Sequence, residues 1–126
     1  MFALIIDDSR AMRRILKQIV STLGFETIEA GNGREALEAL RSVPEITIAL
    51  VDWNMPEMNG LEFIEFVRAC PEFKALKLVM VTTETEPARM ARALMSGADE
   101  FVMKPFTPDI LLDKLRLIGA VNLHAS

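Results

Sequence analysis

The sequence contains no tyrosine, one tryptophan, one histidine and one cysteine in 126 residues. A lone cysteine, Cys70, excludes an internal disulfide and supplies no thiolate metal-ligand spacing. No apolar run approaches the roughly 18 residues that a membrane-spanning helix needs. There is no excess of positive charge: 14 Lys and Arg stand against 18 Asp and Glu, a net charge of −4. That balance removes the electrostatic case for binding nucleic acid or an anionic membrane. Internal repeats, low-complexity tracts and Pro/Ser-rich linkers are also missing. Met1 leads directly into a short apolar run that meets Asp7 and Asp8, which is not the pattern of a secretory leader. A reducing, cytoplasmic setting is expected, and a single domain over residues 1–120 with a short tail at 121–126.

What is present is a regular alternation of short apolar runs with amphipathic stretches. Phe2 to Ile6 reads as a strand that ends at Asp7 and Asp8. Ser9 caps a helix whose apolar residues Met12, Ile15, Leu16, Ile19, Val20 and Leu23 recur at helical spacing until Gly24 stops it. Phe25 to Ala30 is a weaker strand. Gly31 to Gly33 make a turn, and a helix follows from about Arg34 to Ser42. Thr47 to Val51 is a strand delivering Asp52, and a helix from about Gly60 to Ala69 is closed by Pro71. Leu76 to Val81 delivers Thr82 and Thr83. A helix from Pro87 to Ser96 has proline near its start and Gly97 past its end, where each is favoured. Phe101 to Met103 delivers Lys104 and Pro105, and Thr107 caps a last helix from Pro108 to Ile118.

Strands alternating with helices imply βαβ units, hence a doubly wound α/β fold with a five-stranded parallel sheet and five helices. In that class the carboxyl ends of neighbouring strands share one rim, where ligands bind. Asp7, Asp8, Asp52, Thr82 and Lys104 are therefore predicted to meet in one shallow site. Three carboxylates together repel and push at least one pKa upward. A divalent cation removes the conflict, and hard oxygen donors without His or Cys favour Mg²⁺. A lysine and a threonine hydroxyl opposite them suit a further anionic group. This is an inventory for phosphoryl transfer to a carboxylate. The plainer reading is an acidic rim with Lys104 as its counter-ion.

These residues carry a resemblance. Asp7 and Asp8, Asp52 with Met55, Pro56 and Gly60, Thr82, and Lys104 with Pro105 and Phe106 after Gly97 and Ala98 resemble a two-component response-regulator receiver domain. The resemblance covers nearly the whole chain. It is strongest toward CheY-like chemotaxis receivers through Met12 to Ile15, Leu23 to Phe25, Asp52 to Pro56 and Lys104 to Thr107. It implies a flavodoxin-like sheet in the order 2-1-3-4-5 and phosphorylation of Asp52 by a sensor histidine kinase or histidine-phosphotransfer protein. It further implies Mg²⁺ held by Asp8, Asp52 and the carbonyl of Asn54, with Asp7 acting through water. Lys104 and Thr82 would contact the phosphoryl oxygens, and Phe101 would be the aromatic switch. Asn54 and Glu84 would tune dephosphorylation, with a short-lived adduct expected. Lys104–Pro105 would be cis. The missing tyrosine removes any phenol contact with a partner.

Some features admit two readings. Arg10, Arg13, Arg14 and Lys17 form either a solvated helix face or a kinase-docking patch. The apolar residues Phe101, Met103, Ile110, Leu111, Leu112, Leu115, Leu117 and Ile118 exceed one buried stripe. They leave room for an output or dimer surface or for fuller burial, so a monomer and an activation-dependent dimer both stand. The implied output is a protein partner, with the flagellar motor switch as the chemotaxis candidate, and neither nucleic acid nor membrane insertion. Trp53 beside Asp52 suits an optical reporter. The other function classes are a phosphate sink or relay, a receiver from a longer regulator, and a Mg²⁺-dependent aspartyl-phosphate hydrolase.

Overall fold

The structure is a computed structural model that describes residues 1–83 and 86–119. Five strands, β1 (Phe2–Ile6), β2 (Glu26–Ala30), β3 (Ile46–Val51), β4 (Lys77–Thr82) and β5 (Glu100–Met103), form one sheet in the order β2-β1-β3-β4-β5. All four pairings are parallel. The intervening helices are α1 (Arg10–Ser21), α2 (Gly33–Ser42), α3 (Gly60–Arg68), α4 (Pro87–Met95) and α5 (Pro108–Leu117), and a 3-10 turn spans Pro71–Phe73. The doubly wound expectation and its strand order hold.

The apolar runs lack alternation because both faces of the sheet are covered. Ala3 and Ile5 of β1, Ile48 and Leu50 of β3, and Val79 and Val81 of β4 face Leu16, Ile19 and Val20 of α1 and Leu111 and Leu115 of α5. Their neighbours Leu4, Ile6, Ala49, Val51, Leu78 and Met80 turn to the opposite layer, where α2 and α3 contribute Leu37, Leu40, Phe63, Ile64 and Val67. Full burial of one such Leu or Ile side chain is worth about 2 kcal/mol. Successive positions along each central strand thus stabilise two different layers.

Helix ends follow side-chain chemistry. The Ser9 hydroxyl accepts a hydrogen bond from the Met12 amide at 3.2 Å, and that of Thr107 accepts one from Ile110. Asn59 and Glu62 form a reciprocal capping box at the start of α3, and Asn32 caps α2. In the sequence Asn32 reads only as part of the turn from Gly31 to Gly33. One element differs from its expected burial: Ile15 of α1 remains half exposed, because the helix turns Leu16, Ile19 and Val20 inward instead.

Gly60 sits where backbone meets backbone. Its amide donates to the Trp53 carbonyl at 2.8 Å, and a Cβ there would run into the Asp52 carbonyl and lie 2.9 Å from the Trp53 Cα. The start of α3 is therefore pressed directly onto the backbone that carries Asp52. Glu84, expected as a tuning position, and the tail at 121–126 lie outside the described residues.

Candidate functional site

The strand registers decide what meets at the carboxyl edge. Ile6 pairs with Val51, and Thr82 pairs with Met103, so the residues that follow emerge along one rim. The Asp52 amide continues the ladder to the Ile6 carbonyl at 2.9 Å, and the Lys104 amide to the Thr82 carbonyl at 2.9 Å. Asp7, Asp52 and Thr82 are buried, whereas Asp8 is exposed.

One oxygen from each of Asp7, Asp8 and Asp52 lies within 4.8 Å of the others. Lys104 crosses to them from the far strand. Its Nζ donates to Asp7 Oδ2 at 2.8 Å and stands 3.6 Å from Asp52 Oδ1. Asp7 is fixed at its second oxygen as well, which accepts the Ser9 amide at 2.8 Å. The Asp7 carbonyl accepts from Arg13 Nη1 at 2.6 Å, while Arg13 Nε reaches Glu29 at 3.0 Å. Arg13 is therefore a brace between β1 and β2 rather than one more charge of a basic patch. Sequence reasoning missed this, because Glu29 faces Ile5 only once the parallel register is known. Arg10, Arg14 and Lys17 remain exposed on α1.

Burial pushes the Asp52 carboxyl above its ordinary value. The Lys104 ammonium and the Asn54 backbone amide work against that rise, and the Asp7 and Asp8 charges add to it. The result is a buried carboxylate held among like charges with one cation beside it. An all-oxygen donor set of this kind fits a hard divalent ion, which would relieve the repulsion that Lys104 offsets only in part. Asn54 is exposed at the rim, placing its carbonyl two residues beyond Asp52.

Further along the sheet Phe101 is half buried, with Lys114 Nζ 5.6 Å from its ring centroid and 3.3 Å from Glu100. Trp53 is buried beside Asp52. The Lys104–Pro105 bond is cis. The surplus of apolar residues near the C-terminus divides: Leu111 and Leu115 are in the core, while Met103, Ile110 and Leu117 are exposed, as is Met95 on α4. Arg89 of α4 was not anticipated; it shares an open cleft with Asp8 and Asn54.

Comparison with known proteins gives this rim its context. Residues 3–116 match the model of the response regulator receiver domain. The chain is 43% identical over 120 residues to the chemotaxis protein CheY1 of Helicobacter pylori, covering 94% of this chain and 97% of that protein. It is 42% identical over 113 residues to a chemotaxis protein CheY homolog of Campylobacter jejuni, covering 89% and 87%. The solved chemotaxis response regulator CheY4 of Vibrio cholerae superimposes with a TM-score of 0.85 at 33% identity, covering 93% of this chain and 97% of that one. The matched segment runs from β1 into α5 and so takes in the whole sheet and its acidic rim; the chain belongs to the response regulator receiver domain family.

Proposed function

We propose that this chain is a stand-alone chemotaxis response regulator, switched by phosphorylation of Asp52 and read out by a protein partner. The observation that carries the reading is Lys104 reaching both Asp7 and Asp52 within the three-carboxylate cluster. The chemotaxis names of relatives more than 40% identical over most of the chain support the pathway.

The phosphoryl donor is a phosphohistidine on a sensor kinase or a histidine-phosphotransfer protein. An Asp52 carboxylate oxygen attacks phosphorus, the P–N bond breaks, and the imidazole leaves with the electron pair. Asp8, Asp52 and the Asn54 carbonyl would hold Mg²⁺, with Asp7 acting through water. When bound, that ion neutralises carboxylate and phosphoryl charge. Lys104 pairs with a phosphoryl oxygen, and the Thr82 hydroxyl donates to another. Asn54 and Glu84 set how readily water reaches the adduct, which is short-lived.

Phosphorylation shifts a pre-existing equilibrium in which Thr82 and the Phe101 ring move inward together. The surface that responds is α4, β5 and α5, where Met95, Met103, Ile110 and Leu117 are exposed. The exposed basic residues of α1, next to the rim, receive the donor protein. Among the described residues no helix is long and apolar enough to cross a membrane, and the setting proposed is the cytoplasm.

Affinity capture from the native host, with and without beryllium fluoride and Mg²⁺, tests the output. The expected result is a flagellar motor component recovered only from the activated sample. Recovery of kinases or phosphotransfer proteins alone would point to a phosphate sink or relay and overturn the effector assignment.

A further inference from the structure

At the end of β1 the chain leaves the sheet through the two residues that begin the acidic rim. The Asp7 amide extends the ladder to the carbonyl of Ala30, the last residue of β2, at 3.1 Å. The Asp7 carbonyl is taken instead by a side chain, accepting from Arg13 Nη1 at 2.6 Å. Asp7 is only 1% exposed, so that carbonyl has little access to water, and a charged donor is a strong partner for it. Arg13 is itself 16% exposed and is held from its other side by Glu29 of β2, at 3.0 Å from Nε. A planar guanidinium can serve two acceptors in fixed directions, which an ammonium cannot. The Asp7 carbonyl and the Asp8 amide belong to one rigid peptide plane. Holding the carbonyl therefore sets the direction in which exposed Asp8 leaves the strand, with a carboxylate oxygen within 4.8 Å of those of Asp7 and Asp52.

From this geometry, and resting on the rim being the Mg²⁺ site of the proposed switch, we infer that Arg13 is a positioning residue for the metal. It acts through the Asp7–Asp8 peptide, keeping the two acidic side chains in place before an ion arrives, and Glu29 fixes the angle of the guanidinium. The sign of the effect separates this role from that of a charge. By charge alone, a cation beside an acidic rim opposes the entry of a second cation, and deleting it tightens Mg²⁺ binding. By position, Arg13 prepares the site, and deleting it weakens Mg²⁺ binding.

Dissociation constants are measured by titrating the unphosphorylated protein with Mg²⁺ alone, for the wild type, Arg13→Gln, Arg13→Lys and Glu29→Gln. Trp53 fluorescence is one readout, and the rise in Tm with added Mg²⁺ gives the same affinities without an optical reporter. Arg13→Gln is expected to weaken Mg²⁺ binding about 10-fold, the lower end of the usual effect of losing an outer-shell partner. Arg13→Lys keeps the charge but loses the fork, and an intermediate loss of about 3-fold is expected. Glu29→Gln still presents an oxygen to Nε and is expected to bind nearly as the wild type does. Folded Arg13→Gln with unchanged affinity would leave Arg13 a structural brace, and tighter binding would make it a counter-charge; either overturns the inference. Should Arg13→Gln not fold, Arg13→Lys decides, since affinity equal to or tighter than the wild type's would overturn it. A loss in Glu29→Gln as large as that in Arg13→Gln would trace the effect to charge at the sheet edge and overturn it too. A wild type with no saturable Mg²⁺ binding would instead discredit the metal assignment itself.

Discussion

Lys104→Gln is expected to slow phosphorylation by acetyl phosphate about 100-fold, the usual effect of deleting one preorganised group that stabilises developing charge. The loss follows from where the ammonium sits. At 2.8 Å from Asp7 and 3.6 Å from Asp52, it is held in place before any donor arrives. Negative charge on the transferring phosphoryl group then meets a cation whose desolvation and ordering are already complete. The substitution acts on the ground state too, because Lys104 is the strongest influence lowering the raised Asp52 pKa. Its removal moves that pKa higher and leaves a smaller fraction of the nucleophilic carboxylate at a given pH. A time course of intact mass measures the rate. Phosphorylation within about twofold of the wild type would show that the ammonium is only a structural counter-ion.

Asp52→Asn is expected to stabilise the metal-free protein at neutral pH by about 1–2 kcal/mol, a rise in Tm of about 3–8 °C. Burial, Asp7 and Asp8 all disfavour the charged form of Asp52, and together they outweigh Lys104 and the Asn54 amide. The folded-state pKa therefore lies above the ordinary value of 3.8. For a carboxyl shifted in this direction the unfolded state loses its proton first as the pH rises. Stability linked to its protonation is fully present below about 3.8 and is lost as the pH climbs through the raised folded value. Above the raised folded value the penalty is complete, and an uncharged amide of the same shape escapes it. The advantage of Asp52→Asn should fade as the pH falls, and saturating Mg²⁺ should shrink it by stabilising the wild type. Thermal melts of both proteins in chelator and in Mg²⁺ check each part. A less stable Asp52→Asn at neutral pH without metal would contradict the electrostatic account.

Much of this architecture is legible in the chain itself. Apolar runs such as Ile48 to Val51 lack alternation because each successive side chain enters a different layer, and that pattern announces a parallel sheet covered on both faces. The polar residues ending those runs then have to share an edge, which is how Asp7, Asp52, Thr82 and Lys104 come together from distant points in the sequence. Other features were not legible because they depend on three-dimensional register or side-chain reach. Arg13 serves the Asp7 carbonyl and Glu29, a partner visible only after β2 is laid against β1. Gly60 is required by an approach of backbone to backbone, which no local turn pattern encodes. Arg89 reaches the cleft through the packing of α4, and its helical position alone gives no sign of it. Ile15 fits the helical repeat as well as Ile19 does, yet only Ile19 is buried, since periodicity marks a stripe and not its edges.

Intact mass after incubation with acetyl phosphate and Mg²⁺, followed by borohydride reduction and peptide mapping, tests the central claim most directly. The account predicts one added phosphoryl group, reduction at Asp52 alone, and no adduct in Asp52→Asn. An adduct that persisted in Asp52→Asn, or that mapped to Asp7 or Asp8, would contradict it.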